Sequence, residues 1–149
     1  PAPADETAPE PEDDPRYAPA YEAMGQGDYV RARDEFAALL AESPADSLAK
    51  IGVAQSGLLS RVDRLDFDAA IAAANQPGAT VDQVMAAADV EVASGQVAEG
   101  FARLTGAIAQ ADPDDKETLR LRLLELFDTQ EPSDKTVLTA RRHLATALF

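Results

Sequence analysis

Gly27-Asp28-Tyr29-Val30-Arg31-Ala32-Arg33-Asp34-Glu35-Phe36-Ala37-Ala38-Leu39-Leu40-Ala41-Glu42-Ser43-Pro44 decides the fold. A glycine turn hands the chain to a helix whose first apolar residue is Tyr29. Small Ala32 lets a neighbouring helix come close. Phe36, Leu39 and Leu40 fill the groove beside it, and Pro44 stops the helix. This spacing puts the apolar residues on one helical face. Gly95-Gln96-Val97-x-x-Gly100-x-x-x-Leu104 repeats the pattern, and Pro113 closes its helix as Pro44 closes the first. Units of this kind bury their apolar faces only by stacking on neighbours.

The rest of the chain reads in the same terms. Asp14-Pro15 suits a helix cap with proline in the first turn. Tyr17, Tyr21 and Met24 share a face, and Gly25 and Gly27 end that helix. A third helix follows Asp46 or Ser47, with Leu48, Ile51, Leu58 and Val62 as its stripe. Gly52 and Gly57 inside it suit a close helix crossing. A shorter helix covers 67–75, with Phe67, Ala70, Ile71 and Ala74 inward. Thr80-Val81-Asp82-Gln83 is a capping box that opens a helix through Val84, Ala88 and Val92. Val97, Phe101, Leu104 and Ile108 form the next stripe. Asp112-Pro113 starts a helix with Leu119, Leu123, Leu126 and Phe127 inward, widened by Leu121 and Leu124. Pro132-Ser133 begins the last, where Val137, Leu138, Leu144 and Leu148 are apolar.

The expected fold is therefore all-α: about eight helices over 15–149, arranged as stacked antiparallel hairpins of an α-solenoid. Residues 1–14 read as an acidic, proline-rich linker. Pro1, Pro3, Pro9 and Pro11 block helix, and Asp5, Glu6, Glu10, Glu12, Asp13 and Asp14 repel one another. Such a linker suits a tether from another domain. A chain that opens on Pro1 without Met reads as a fragment or a processed product.

Composition narrows the function. The 149 residues suffice for one domain with a core. A net charge of −14 repels phosphate backbones and anionic membranes, so neither nucleic acid nor membrane is an expected partner. No apolar run approaches the ~20 residues of a membrane helix. Without cysteine there is no disulfide, thiolate metal site or cysteine nucleophile.

The stretch quoted first looks like the second half of a tetratricopeptide unit. From about Asp14 to Phe149 the chain resembles the C-terminal domain of the thioredoxin-fold co-chaperones of the YbbN/CnoX type. The likeness rests on the acidic linker leading into Tyr21-x-x-Met24-x-x-Gly27-Asp28-Tyr29 with Ala32 behind it, and on the spacing of three degenerate hairpins. It also rests on the ending Leu123-Leu124-Glu125-Leu126-Phe127, Ala140-Arg141-Arg142-His143-Leu144 and Ala147-Leu148-Phe149. The resemblance implies a thioredoxin-like domain upstream in a bacterial, cytoplasmic parent protein. It also implies binding of unfolded clients that pass to molecular chaperones. There is no Cys-x-x-Cys here, so redox chemistry does not carry over. An oligomerisation or scaffold module without client binding is the alternative.

No catalytic, cofactor or metal residues are assigned. Asp112, Asp114 and Asp115 lack the glycine and distal glutamate of a calcium loop and suit helix capping; Asp63, Asp66 and Asp68 read alike. His143 is the only histidine, with no serine motif or metal partner. Gly25-Gln26-Gly27 follows no strand and is a turn, not a phosphate loop. Repeat proteins that clamp terminal carboxylates use Lys and Asn where this chain has Tyr17 and Tyr21, which argues against a clamp. The candidate protein-binding residues are Tyr17, Tyr21, Arg141, Arg142, Leu148 and Phe149. In the bland reading the two arginines sit favourably near a helix C-terminus or pair with Glu125 or Asp128, and in the functional one they meet a partner.

Overall fold

The computed structural model describes residues 14–149; the expected linker up to Asp13 lies outside them. A 3-10 turn, Pro15–Tyr17, leads into eight helices: α1 (Ala18–Gly25), α2 (Tyr29–Glu42), α3 (Ser47–Val62), α4 (Phe67–Ala74), α5 (Val81–Ala93), α6 (Val97–Gln110), α7 (Pro113–Phe127) and α8 (Lys135–Leu148). The described residues contain no strand.

Local chemistry sets the helix ends. Asp28, Asp46, Asp66, Asp112 and Asp134 each accept a first-turn backbone N–H, satisfying donors the helix leaves unpaired. The Thr80 box is complete: Gln83 N–H donates to Thr80 Oγ1 at 3.2 Å and Thr80 N–H to Gln83 Oε1 at 2.9 Å. Gly27 (φ 73°) and Gly95 (φ 85°) take the left-handed conformation. After each, the next residue's N–H reaches back, Asp28 to Ala23 O at 2.9 Å and Gln96 to Glu91 O at 2.8 Å. The two repeats thus end their first helices with the same Schellman closure.

Two cores form, and α3 belongs to both. Tyr17, Ala20, Phe36 and Ala49 make the first, with Tyr21, Met24, Leu39 and Val53 against them. Leu58 and Val62 of α3 join Val90, Phe101, Leu104, Ile108, Leu119, Leu123, Leu126, Phe127 and Val137 in the second. Gly52 makes the first crossing close, since a Cβ there would stand 2.5 Å from the Phe36 ring. Gly100 serves the second hairpin similarly, with Val92 Cγ2 at 2.7 Å from a Cβ position.

The helix count and order match expectation, with local departures. Phe67 and Leu121 are exposed, as is Leu138. Leu121 lies two residues from both Leu119 and Leu123, so it points away from their stripe. Leu138 is displaced similarly from Val137, Ala140 and Leu144. Phe67 heads an eight-residue helix with no fully buried residue. The last helix starts at Lys135 because Asp134, not Ser133, takes the free amides of Thr136 and Val137. Finally, α4 packs on α5 and α8 lies chiefly on α6, so those two helices leave their nominal hairpins.

Two glycine substitutions should move stability in opposite directions. Gly52→Val drives methyl groups into the Phe36 ring and should cost about 1–3 kcal/mol. Gly106→Ala meets nothing within 4 Å inside α6 and should gain about 0.5–1 kcal/mol. Urea midpoints measure both.

Candidate functional site

A cleft of about 500 Å³ opens between α2, α3 and α7. Arg33 and Leu40 of α2 lie seven residues apart, two turns along one face. On α3, Lys50, Val53, Ala54, Gly57 and Arg61 recur at successive turns. Arg122 and Glu125 of α7, with Asp128 just beyond it, close the far wall. The floor is apolar and the rim carries four of the chain's thirteen Lys and Arg.

Asp89 of α5 fixes two of these cations. Its side chain is only 3% exposed. Arg61 donates from Nε to Oδ2 at 2.9 Å and from Nη2 to Oδ1 at 3.0 Å, and Arg122 Nη1 donates to Oδ2 at 2.6 Å. Glu125 Oε2 adds longer contacts to Arg61 Nη1 at 3.4 Å and Arg122 Nε at 3.7 Å. A buried carboxylate without partners would cost several kcal/mol, so burial itself holds the arginines in place. Lys50 Nζ meets Asp128 at 3.7 Å, and Gln55 Nε2 donates to Thr129 O at 3.0 Å. Glu91, also buried, accepts from Arg103 Nε at 2.5 Å, while Arg103 Nη1 donates to Asn75 Oδ1 at 3.0 Å.

The six residues named from sequence do not converge. Tyr17 is buried in the first core and its hydroxyl donates to the Asp46 carboxylate, the cap of α3. Tyr21 is half-buried and meets the Phe36 ring edge-on at 5.7 Å. Arg141 lies over the Phe127 ring at 4.8 Å, and Arg142 Nη2 donates to Thr139 Oγ1 at 3.3 Å. Their expected acidic partners are engaged elsewhere, Glu125 by Arg61 and Arg122, and Asp128 by Lys50. Leu148 packs partly on the second core, and Phe149 is fully exposed. The tyrosines thus lie at the first core, whereas Leu148 and the Arg141 guanidinium lie against the second. His143 borders a shallow groove between α6 and α8 with Ala98, Ala102, Thr105, Thr136 and Thr139. Asp66 and Asp112 are helix caps, as read. Among the described residues no three His, Asp or Glu side chains gather as a metal-binding group.

Sequence reasoning missed Arg33, Lys50, Arg61 and Arg122. One signal was available. Asp89 and Glu91 stand within Val84–Ala93, otherwise wholly apolar, and carboxylates in such a stretch require buried cationic partners.

A tetratricopeptide repeat family model matches residues 60–149, from the end of α3 to the last residue. Uncharacterized proteins of Mycobacterium bovis and Mycobacterium tuberculosis are 34% identical over 136 residues, covering 91% of this chain and 44% of theirs. The chain thus spans less than half the length of these curated relatives. No solved structure matches it significantly. No described helix is long and apolar enough to cross a membrane.

Asp89→Ala strands two arginines and should cost about 3–5 kcal/mol, whereas Lys50→Ala, which breaks an exposed pair, should cost under about 1 kcal/mol; thermal or urea unfolding compares them. Tyr17 and Asp46 give a pH signature. The hydrogen bond to Asp46, then burial, pushes the Tyr17 hydroxyl up to about 12. Burial raises the Asp46 carboxyl, but hydrogen bonds from the Tyr17 hydroxyl and the Ala49 and Leu48 amides outweigh it and hold it below the ordinary carboxylate range. Tyr17→Phe should cost about 1.5–3 kcal/mol at neutral pH. The gap to wild type should narrow as pH falls below about 4 and Asp46 takes up its proton. It should narrow again as pH rises above about 10, where Tyr17 loses its proton at lower pH unfolded than folded. Urea titrations across pH measure both limbs.

Proposed function

The chain belongs to the tetratricopeptide repeat family, whose stacked hairpins serve protein–protein interaction, and on that basis we propose a non-enzymatic protein-binding domain of a thioredoxin-like co-chaperone. The cleft between α2, α3 and α7 takes short stretches of unfolded client proteins. The observation that carries this reading is an apolar floor at Leu40, Val53 and Ala54 open to solvent beneath a rim of ion-paired side chains. Clefts of this size suit short ligand segments. The rim mixes both signs, with Arg33, Lys50, Arg61 and Arg122 beside Glu125 and Asp128, and so departs from the acid-edged groove that the overall charge suggests. The acidic exterior keeps a loaded complex soluble.

The co-chaperone part of the reading rests on the resemblance in sequence. The relatives' extra length leaves room for an upstream thioredoxin-like domain in a cytoplasmic parent. Exposed Arg141, Arg142 and Phe149, with Leu148 beside them, suit a contact between α8 and a chaperone. The competing scaffold reading draws on the small-residue groove between α6 and α8, where a second copy could pack.

Fluorescence anisotropy with a labelled, permanently unfolded client tests the cleft. Ala54→Trp fills the floor and should weaken binding about tenfold or more, a loss of at least ~1.4 kcal/mol. Phe67→Ser, on distant α4, should leave binding unchanged. Equal affinity for both variants, with helical circular dichroism intact, contradicts the cleft as client site. Self-association in sedimentation without any client binding favours the scaffold.

A further inference from the structure

Helix α3 is one element serving two bodies. Its first half, with buried Ala49 and half-buried Leu48 and Val53, packs into the first core. Its second half, with Leu58 and Val62, packs into the second. Among the described residues, α1 and α2 pack on each other and on α3 and make no extended contact with α4–α8. Polar side chains tie the bodies across the cleft: Lys50 Nζ stands 3.7 Å from Asp128, and Gln55 Nε2 donates to Thr129 O at 3.0 Å. An exposed ion pair and a single hydrogen bond hold weakly. The tetratricopeptide match likewise starts at residue 60, inside α3 and past the first core.

The junction between the two halves of α3 is built to bend. Ser56 Oγ donates to Gly52 O at 2.7 Å, and Ser60 Oγ donates to Gly57 O at 2.7 Å. Hydroxyls that bond back one turn compete with the helix ladder and bend helices, and glycine–serine pairs are where kinks collect. Glycine also loosens a helix interior. Packing does not require it at Gly57. Where the missing Cβ of Gly52 makes room for the Phe36 ring, a Cβ at Gly57 would meet Arg61 Nη1 at 3.6 Å and Arg33 Cδ at 3.9 Å, ordinary contacts. The close crossing expected at Gly57 is therefore absent, and the effect of this glycine is on the backbone.

We propose that α3 is a hinge: the molecule bends at Ser56–Gly57, swinging the α1–α2 hairpin against the body formed by α4–α8 and changing the width of the cleft. The second half of α3 moves with that body, because Arg61 is held on buried Asp89. Leu40 and Lys50 travel with one wall of the cleft, Arg122 and Glu125 with the other. Bends of this class occur in microseconds to milliseconds. The hinge needs no client and stands apart from the client-binding reading.

The chain has no cysteine, so paired substitutions carry spin labels for distance measurement by pulsed electron paramagnetic resonance. Ala37→Cys on α2 with Thr118→Cys on α7 spans the pivot. Ala98→Cys on α6 with Thr118→Cys lies within the second body, and all three positions are exposed. The spanning pair should give a distance distribution about twice as wide as the internal pair. Gly57→Ala, which has room for its methyl group, combined with Ser56→Ala should narrow the spanning distribution to the width of the internal one. Helical circular dichroism checks the fold, and Gly57→Ala alone decides the question if the double variant loses it. A spanning distribution as narrow as the internal one in the unaltered sequence overturns the proposal. So does a broad one that the substitutions leave unchanged, since the bending then lies elsewhere.

Discussion

The carboxylate of Asp89 is the point on which the middle of the molecule depends. It sits on α5, almost sealed from water, and accepts three hydrogen bonds, two from Arg61 on α3 and one from Arg122 on α7. Those helices touch each other little directly. They are joined through the buried anion, and the space left between them above it is the cleft. Because a lone buried carboxylate is so unfavourable, the two guanidinium groups have little freedom to leave. Two of the four rim cations, Arg61 and Arg122, are thus set by the interior and not by the solvent.

Around this centre the fold is a repeated solution to one packing problem. Each main hairpin turns through a left-handed glycine, Gly27 or Gly95, and closes its first helix with the same backward hydrogen bonds. Each then places a small residue, Ala32 or Gly100, before a large buried one, Phe36 or Leu104. Between the hairpins, α3 contributes its first half to one core and its second half to the other. The swing of α4 onto α5 and of α8 onto α6 lets the second core close around Phe101 and Phe127, whose rings meet edge-on at 4.9 Å.

Helices, caps and turns were legible because their signals are local. Gly27, the Thr80–Gln83 box and the stripe Leu119–Leu123–Leu126 each declare themselves within a few residues. Errors came where burial depends on distant neighbours. Phe67 looks inward by period but heads a helix too short to bury it, and Leu121 adjoins a stripe it does not join. The cleft was hidden for the same reason. Arg33, Lys50, Arg61 and Arg122 lie on three helices, and each alone looks like an ordinary surface charge. Tyr17 shows the converse, since a residue named as a protein-binding candidate is buried in the first core with its hydroxyl on Asp46, twenty-nine residues away. The tetratricopeptide assignment does not depend on the motif that first suggested it, because the matched residues 60–149 begin after that motif ends.

Recognition of polypeptides by such a domain comes from a surface, so the decisive question is where a bound chain lies. Heteronuclear NMR of the full-length protein answers it, following backbone amides together with the side-chain Nε–Hε signals of Arg61 and Arg122 while an unfolded client is added. A cleft that reads client chains predicts concerted shifts at Arg61, Arg122, Val53 and Ala54. Shifts gathered at Arg141, Arg142 and Phe149, with the cleft signals unmoved, would contradict it.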